Sequence, residues 1–171
     1  MKLISEEYKK ILQQVHQTDK WGRVAKSQSS SIKKLLDEYN IKRLLDYGSG
    51  WGGLKDSLPS DYEVIEYEPG IEEKSKSPEP EKFVVCIDVL EHIEPEYIEN
   101  VLDDLQRVVL DKGFFTISCR EAVRRLPNGK NAHLIVKPHT WWKDKLELRF
   151  NILTYEYMDS AEQCQVFLEK K

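Results

Sequence analysis

The sequence predicts an open α/β fold, in which a mostly parallel sheet ends in an antiparallel hairpin at its C-terminal edge. Three observations carry this. Four short apolar runs recur between residues 41 and 118: IKRLLDYG, YEVIEY, KFVVCID and GFFTIS. Near-continuous apolar runs mark strands buried on both faces. Helical spacing separates most of them, which is the alternation of a parallel sheet covered by helices. Past residue 145 the pattern changes, and LELRFNILTYEY and QCQVFLEK alternate apolar and polar residues around a turn at 158–162.

Each element has its own signal. Leu3, Ile4, Tyr8, Ile11, Leu12 and Val15 follow helical spacing over 3–16. A second helix, over about 27–39, puts Ile32, Leu35, Leu36 and Tyr39 on one face behind a run of serines. After the first apolar run a short helix is expected over 52–58. The charged stretch EEKSKSPEPE at 72–81 is broken by prolines and reads as a surface loop. A longer helix over 95–109 carries Ile98, Val101, Leu102, Leu105 and Val108, and another is expected over 139–147. There, adjacent Trp141 and Trp142 cannot share a face, so one belongs to the core and the other to its rim.

Composition narrows the class. The 171 residues suit one domain, 40% are apolar and 33% charged, and there are 4 Trp, 8 Tyr and 5 Phe. That is enough apolar material for an ordinary core. No apolar run reaches the ~20 residues of a membrane span, and no signal-peptide core follows the N-terminus. Cys86, Cys119 and Cys164 are too few and scattered for a disulfide framework, which points to a reducing, cytoplasmic setting. The net charge of −4 argues against a nucleic-acid partner.

The most informative stretch is Leu44-Leu45-Asp46-Tyr47-Gly48-Ser49-Gly50-Trp51-Gly52-Gly53. It follows a strand, the setting of a nucleotide-binding glycine loop in a Rossmann-like sheet. Glycine lets the backbone turn sharply and approach a ligand. The spacing is ambiguous, because Gly48-x-Gly50-x-x-Gly53 fits a dinucleotide fingerprint and Asp46-x-Gly48-x-Gly50-x-Gly52 a different one. Glu68 follows Asp46 by 22 residues, where an acid accepts hydrogen bonds from both ribose hydroxyls. An adenosine ligand satisfies either spacing.

With Asp88-Val89-Leu90-Glu91-His92-Ile93 added, the chain resembles the class I S-adenosylmethionine-dependent methyltransferases of the type 11/12 group. LLDYGSGWGGL resembles their first motif, VIEYEP their acidic motif, and CIDVLEHI their D-V-L-E-H stretch. The likeness covers residues 40–120. It implies a single methyltransferase domain, with an N-terminal helical lid (1–39), a cofactor-binding core (40–120) and an acceptor-side loop, helix and hairpin (121–171). It implies S-adenosylmethionine contacts at Trp21, Arg23, Asp46, Gly48, Ser49, Gly50, Tyr67, Glu68, Pro69, Asp88, Val89 and Leu90. Asp46 would lie near the methionine amino group, Glu68 on the ribose, and Leu90 near the adenine or sulfonium. Members of the group usually place a helix and a third strand after the ribose acid. Only about 19 residues (69–87) separate Glu68 from Asp88, so that strand is vestigial or absent.

The resemblance also makes the partner a small-molecule acceptor, with His133, in NAHLIVKPHTWW, as the candidate catalytic residue facing it. An ordering hydrogen bond within the loop is the plainer role for that histidine. Residues 120–149 hold eight basic side chains against three acidic ones. This suggests an anionic acceptor of sugar, nucleotide-sugar or carboxylate type, with an ordinary solvated face as the equal alternative. Some quinone-ring relatives hold a divalent cation with the acids and histidine of this motif, so the resemblance makes Asp88, Glu91 and His92 a candidate set; at i, i+3 and i+4 they are a weak metal signal, and no metal is assigned. Two other functions stay open: an NAD(P)-binding oxidoreductase, from the GxGxxG spacing, and a non-catalytic cofactor-binding module, from the shortened segment after Glu68. Nothing in the sequence sets the oligomeric state.

Overall fold

The computed structural model describes residues 1–18, 21 and 25–171. Two helices come first, α1 (Glu6–Thr18) and α2 (Ala25–Glu38), then strands β1 (Arg43–Tyr47), β2 (Glu63–Tyr67) and β3 (Glu81–Ile87). Helix α3 (Ile98–Val108) leads into β4 (Val109–Ser118), and α4 (His139–Glu147) into the hairpin β5 (Phe150–Met158) and β6 (Gln163–Lys170). The six strands form one sheet in the order β2-β1-β3-β4-β6-β5. β1 to β4 are parallel neighbours, and β6 runs antiparallel to both β4 and β5. This is the expected mostly parallel, Rossmann-like open sheet with its antiparallel C-terminal edge.

Both faces of the sheet are covered. On one side Leu45, Val84, Cys86, Phe115 and Val166 pack against α3 and against Trp142 and Leu146 of α4. On the other, Leu44, Val64, Phe83, Val85 and Phe114 pack against Ile32 and Leu36 of α2 and against Leu54, Leu58 and Tyr62. Trp142 is fully buried and Trp141 half-buried, the division their adjacency requires. Tyr47 reaches across one core, and its buried hydroxyl donates to Asp104 Oδ2 of α3 at 2.9 Å.

Two connections depart from the expected alternation. Residues 51–57 form hydrogen-bonded turns and not a helix. Gly50 (φ 49°) and Gly52 (φ 89°) hold left-handed backbone there, which interrupts helix nucleation. The turns still bury Leu54 and Leu58, with Leu58 N donating to Leu54 O at 3.0 Å. Between β2 and β3 there is one 3₁₀ turn, Glu72–Lys74, and then extended chain. No strand forms there among the described residues, so β2 is an edge strand, as the short spacing between Glu68 and Asp88 implied.

Helix α1 lies over the C-terminal edge of the parallel strands. Its Tyr8, Leu12 and Val15 form a separate apolar cluster with Leu126 and Ala132 of the long β4–α4 connection. The helix begins at Glu6 and not at Leu3, because Ser5 caps it: Ser5 Oγ accepts from Tyr8 N at 3.0 Å. Ser5 N in turn donates to Glu94 Oε2 at 2.8 Å.

Candidate active site

The parallel strands end on one edge, and the order reverses between β1 and β3. That is the switch point where open α/β sheets bind ligands. A cavity of about 540 Å³ opens there. Its floor is Asp46–Gly50 after β1, Tyr67–Pro69 after β2, and Ile87–Val89 after β3. Leu3, Tyr8, Leu12, His16 and Trp21 roof it, and Arg120–Arg124, Ala132 and His133 form the far wall.

The glycine turn is held tightly. Gly48 N and Ser49 N both donate to Tyr67 O, at 2.8 and 3.0 Å. Gly48 has φ 82°, and a Cβ on it would stand 2.4 Å from Val89 Cγ2. Only glycine fits that backbone against that neighbour. Lys74 Nζ, from the short β2–β3 connection, donates to Gly50 O and to Glu66 Oε1, each at 2.8 Å.

Asp46 is buried and its Oδ2 has no hydrogen-bond partner. Burial, helped by the nearby Glu66 carboxylate, raises its pKa to about 7. Glu68 is buried too. Its Oε2 accepts from Gly50 N at 3.2 Å and its Oε1 from Gly70 N at 2.9 Å. His16 Nε2 of α1 lies 3.5 Å from the same Oε1. A carboxylate offers about four lone-pair directions, so this one keeps acceptor capacity toward the cavity.

Asp88 holds a left-handed backbone, φ 52°, and its Oδ1 accepts from Thr116 Oγ1 (2.8 Å) and Gln163 Nε2 (2.7 Å). Burial raises its pKa above the usual carboxylate range. Glu91 is completely buried, and its Oε1 accepts from Ser118 N at 2.8 Å. The His92 ring packs beneath Trp21, with centroids 5.1 Å apart, and edge-on to His133 at 4.8 Å. Burial and the neighbouring His133 lower the His92 pKa to about 4, which keeps that ring neutral.

Of the residues marked in the sequence, Trp21, Asp46, Gly48, Ser49, Gly50, Tyr67, Glu68, Pro69, Asp88, Val89 and His133 all line this one cavity. Leu90 does not. It is fully buried in the core on the α3 side. Arg23 lies outside the described residues. Trp51 is 47% exposed and bonds to α1 and to Trp21. Its Nε1 donates to His16 O at 3.2 Å and its backbone N to Trp21 O at 2.9 Å.

The basic segment divides. Arg120 and Arg124 line the cavity. Lys145 and Arg149, in and just after α4, pair with Glu99 of α3, Arg149 also pairs with Asp103, and Lys143 pairs with Glu147. Sequence inspection missed Tyr8 and His16. Their signal was present, since Tyr8, Leu12 and His16 lie at i, i+4 and i+8, and polar groups on an apolar stripe need a reason.

No protein-family model matches the chain, and no curated protein does. Solved structures do resemble it. The 1,6-didemethyltoxoflavin-N1-methyltransferase of Burkholderia thailandensis, with bound 1,6-didemethyltoxoflavin and S-adenosylhomocysteine, matches at TM-score 0.65 and 16% identity, over 100% of this chain and 92% of that one. Magnesium protoporphyrin IX methyltransferase of Synechocystis PCC 6803, with bound S-adenosylmethionine, matches at 0.62 and 14%, over 100% of both chains. A [4+2]-cyclase matches at 0.57 and 13%, over 83% of this chain and 80% of that one. At such identities the likeness is one of fold, and the fold is that of these methyltransferases. The cyclase is a reminder that the reaction must be argued from the site.

Proposed function

We propose that the chain is an S-adenosylmethionine-dependent methyltransferase acting on a small-molecule acceptor. The observation that carries this reading is Asp46, a buried carboxylate with a partnerless oxygen beside a glycine turn at the switch point. An unpaired buried carboxylate is costly, and a cationic ligand group relieves it. Asp46 would meet the amino group of the methionine portion, the backbone of Gly48–Gly50 would run beside it, and Glu68 would accept from the ribose hydroxyls. Bound S-adenosylmethionine supplies an electrophilic methyl group on a sulfonium.

The residues of the chain then have three tasks: to hold the acceptor in line, to exclude water, and to manage any proton the acceptor carries. The α1 roof excludes water. His133 stands at the acceptor wall, and Arg120 and Arg124 give that wall a positive rim suited to an anionic acceptor. A cavity of about 540 Å³ suits a small molecule. Three free cysteines fit a reducing, cytoplasmic setting.

The dinucleotide reading loses support from the same geometry. Its pyrophosphate needs a helix N-terminus directly after the glycine turn. Residues 51–57 form turns instead. Calorimetry decides between the two: S-adenosylhomocysteine should bind one-to-one and NADH should give no heat. Binding of NADH alone would overturn the proposal.

A further inference from the structure

Three lone-pair atoms to which the cofactor reading gives no task converge where the β3–α3 turn meets the β4–α4 connection. One such atom from each of Glu91, His92 and His133 lies within 4.8 Å of the other two. We propose that these three residues bind an ammonium group, and that the methyl acceptor is therefore a primary amine. The role of that amine as acceptor rests on the methyltransferase reading, but its binding does not.

Both rings are set to accept toward the cavity. His92 Nδ1 lies 2.8 Å from Ala132 O, and His133 Nδ1 lies 2.6 Å from Arg120 O. A carbonyl oxygen only accepts, so Nδ1 carries the proton in both rings. Each neutral ring is then left with a bare lone pair on Nε2. Asn131 sets the loop that carries His133, because its Oδ1 accepts from His133 N (2.9 Å) and Ala122 N (3.0 Å).

Glu91 supplies an independent sign of a missing donor. Its side chain is wholly buried, Oε1 is committed to Ser118 N, and Oε2 has no hydrogen-bond partner among the described residues. A buried carboxylate oxygen without a donor is costly, and a positively charged N–H relieves it. Neither histidine does so, since each spends its proton on a backbone carbonyl. Asp88 is not part of the set, because Thr116 and Gln163 already hold its Oδ1 and its side chain lies outside the convergent group.

Number and spacing select the ligand. An alcohol brings one donor, whereas a primary ammonium brings three together with the charge that Glu91 calls for. Three acceptors at ~2.9 Å from a tetrahedral nitrogen stand about 4.7 Å apart. The cluster meets that spacing without rearrangement. His92 and His133 line the cavity and Glu91 lies behind them, so the amine enters from the acceptor side. Tyr8 and Trp21 line the same cavity, and aromatic faces attract an ammonium. An acid group on the same molecule would meet Arg120 at the far wall.

The test titrates methylammonium chloride into the protein at neutral pH, with and without S-adenosylhomocysteine, and follows the imidazole ¹⁵N resonances. A probe of two heavy atoms binds no tighter than millimolar, so the titration runs to ~200 mM. The Nε2 resonances of His92 and His133 should move together and saturate. Tetramethylammonium, with the same charge and no N–H, should leave them in place. Glu91→Gln keeps an oxygen for Ser118 N and should weaken methylammonium binding by about tenfold or more. Should that variant unfold, His133→Ala, on a half-buried loop side chain, gives the same reading through His92. His139→Ala, on α4, should bind like the parent. No saturable shift, an equal response to tetramethylammonium, or undiminished affinity in the variant would overturn the site. S-adenosylhomocysteine affinity is measured on the same samples. Amine binding without it would leave the site standing and sink the methyltransferase reading; the reverse result would sink the site alone.

Discussion

Asp46 is the residue on which the cofactor reading turns, and its protonation gives a prediction with a definite sign. Its pKa is about 7 folded against 3.8 for the free side chain, so the folded chain holds the proton more tightly. Its contribution to stability is fully present below about pH 4 and is lost as pH rises through about 7. Asp46→Asn should therefore unfold with a flatter pH dependence over that window, measured as urea midpoints. Binding runs the other way. The ionised form meets the ligand's amino group, so S-adenosylhomocysteine should bind more weakly below pH 7, approaching tenfold per pH unit. Asn should remove that dependence and cost about tenfold or more at pH 8. Tyr47 offers a second residue-scale test. Tyr47→Phe strands a buried Asp104 oxygen, which should cost roughly 1–3 kcal/mol in urea unfolding. Asp46 and Glu68 were legible in the sequence because their spacing from the glycines is local. The Glu91–His92–His133 cluster was not, since His133 arrives on a loop 41 residues after His92.

Among the elements, α1 decides access to the cavity. It is seated on Gly70, where a Cβ would come within 2.8 Å of both His16 Cδ2 and Leu12 Cβ. Gly70→Ala should push the helix off its seat at a cost of about 1–3 kcal/mol, leaving the sheet intact. The expected result is weaker S-adenosylhomocysteine binding, by about tenfold, with unchanged far-UV circular dichroism. Unchanged affinity would show that α1 is fixed by its other contacts. The helices were readable from apolar periodicity, apart from 52–58, where the burial pattern of Leu54 and Leu58 is helical but the glycines deny the backbone. Periodicity reports which side chains are buried, while φ decides the path between them. Helix α1 began late for a similar reason, as the Ser5 cap outweighs the apolar spacing of Leu3 and Ile4.

For the molecule as a whole, the mostly parallel sheet with its antiparallel edge was legible because buried parallel strands read as continuous apolar runs, whereas the order of the strands was not read. The charge distribution was not. The basic segment 120–149 looked like one face, but Lys145 and Arg149 spend their charge on Glu99 and Asp103, some 50 residues earlier in the chain. The Arg149 side chain is only 11% exposed and pairs with both acids, so Arg149→Ala should cost roughly 1–3 kcal/mol in urea unfolding and leave ligand binding unchanged. Among the described residues no helix is long and apolar enough to cross a membrane. The β2 edge carries Glu63 and Glu66, charges that discourage another strand from pairing there.

The packing of Trp21 against His92 turns the roof of the cavity into an optical reporter. Of the four tryptophans, Trp141 and Trp142 are on α4 and Trp51 is 47% exposed, while Trp21 lies directly over the His92 ring. Its emission should respond to whatever enters beneath it. An adenosyl ligand entering the cavity that Trp21 roofs should shift that emission, so occupancy of the site could be followed by light alone.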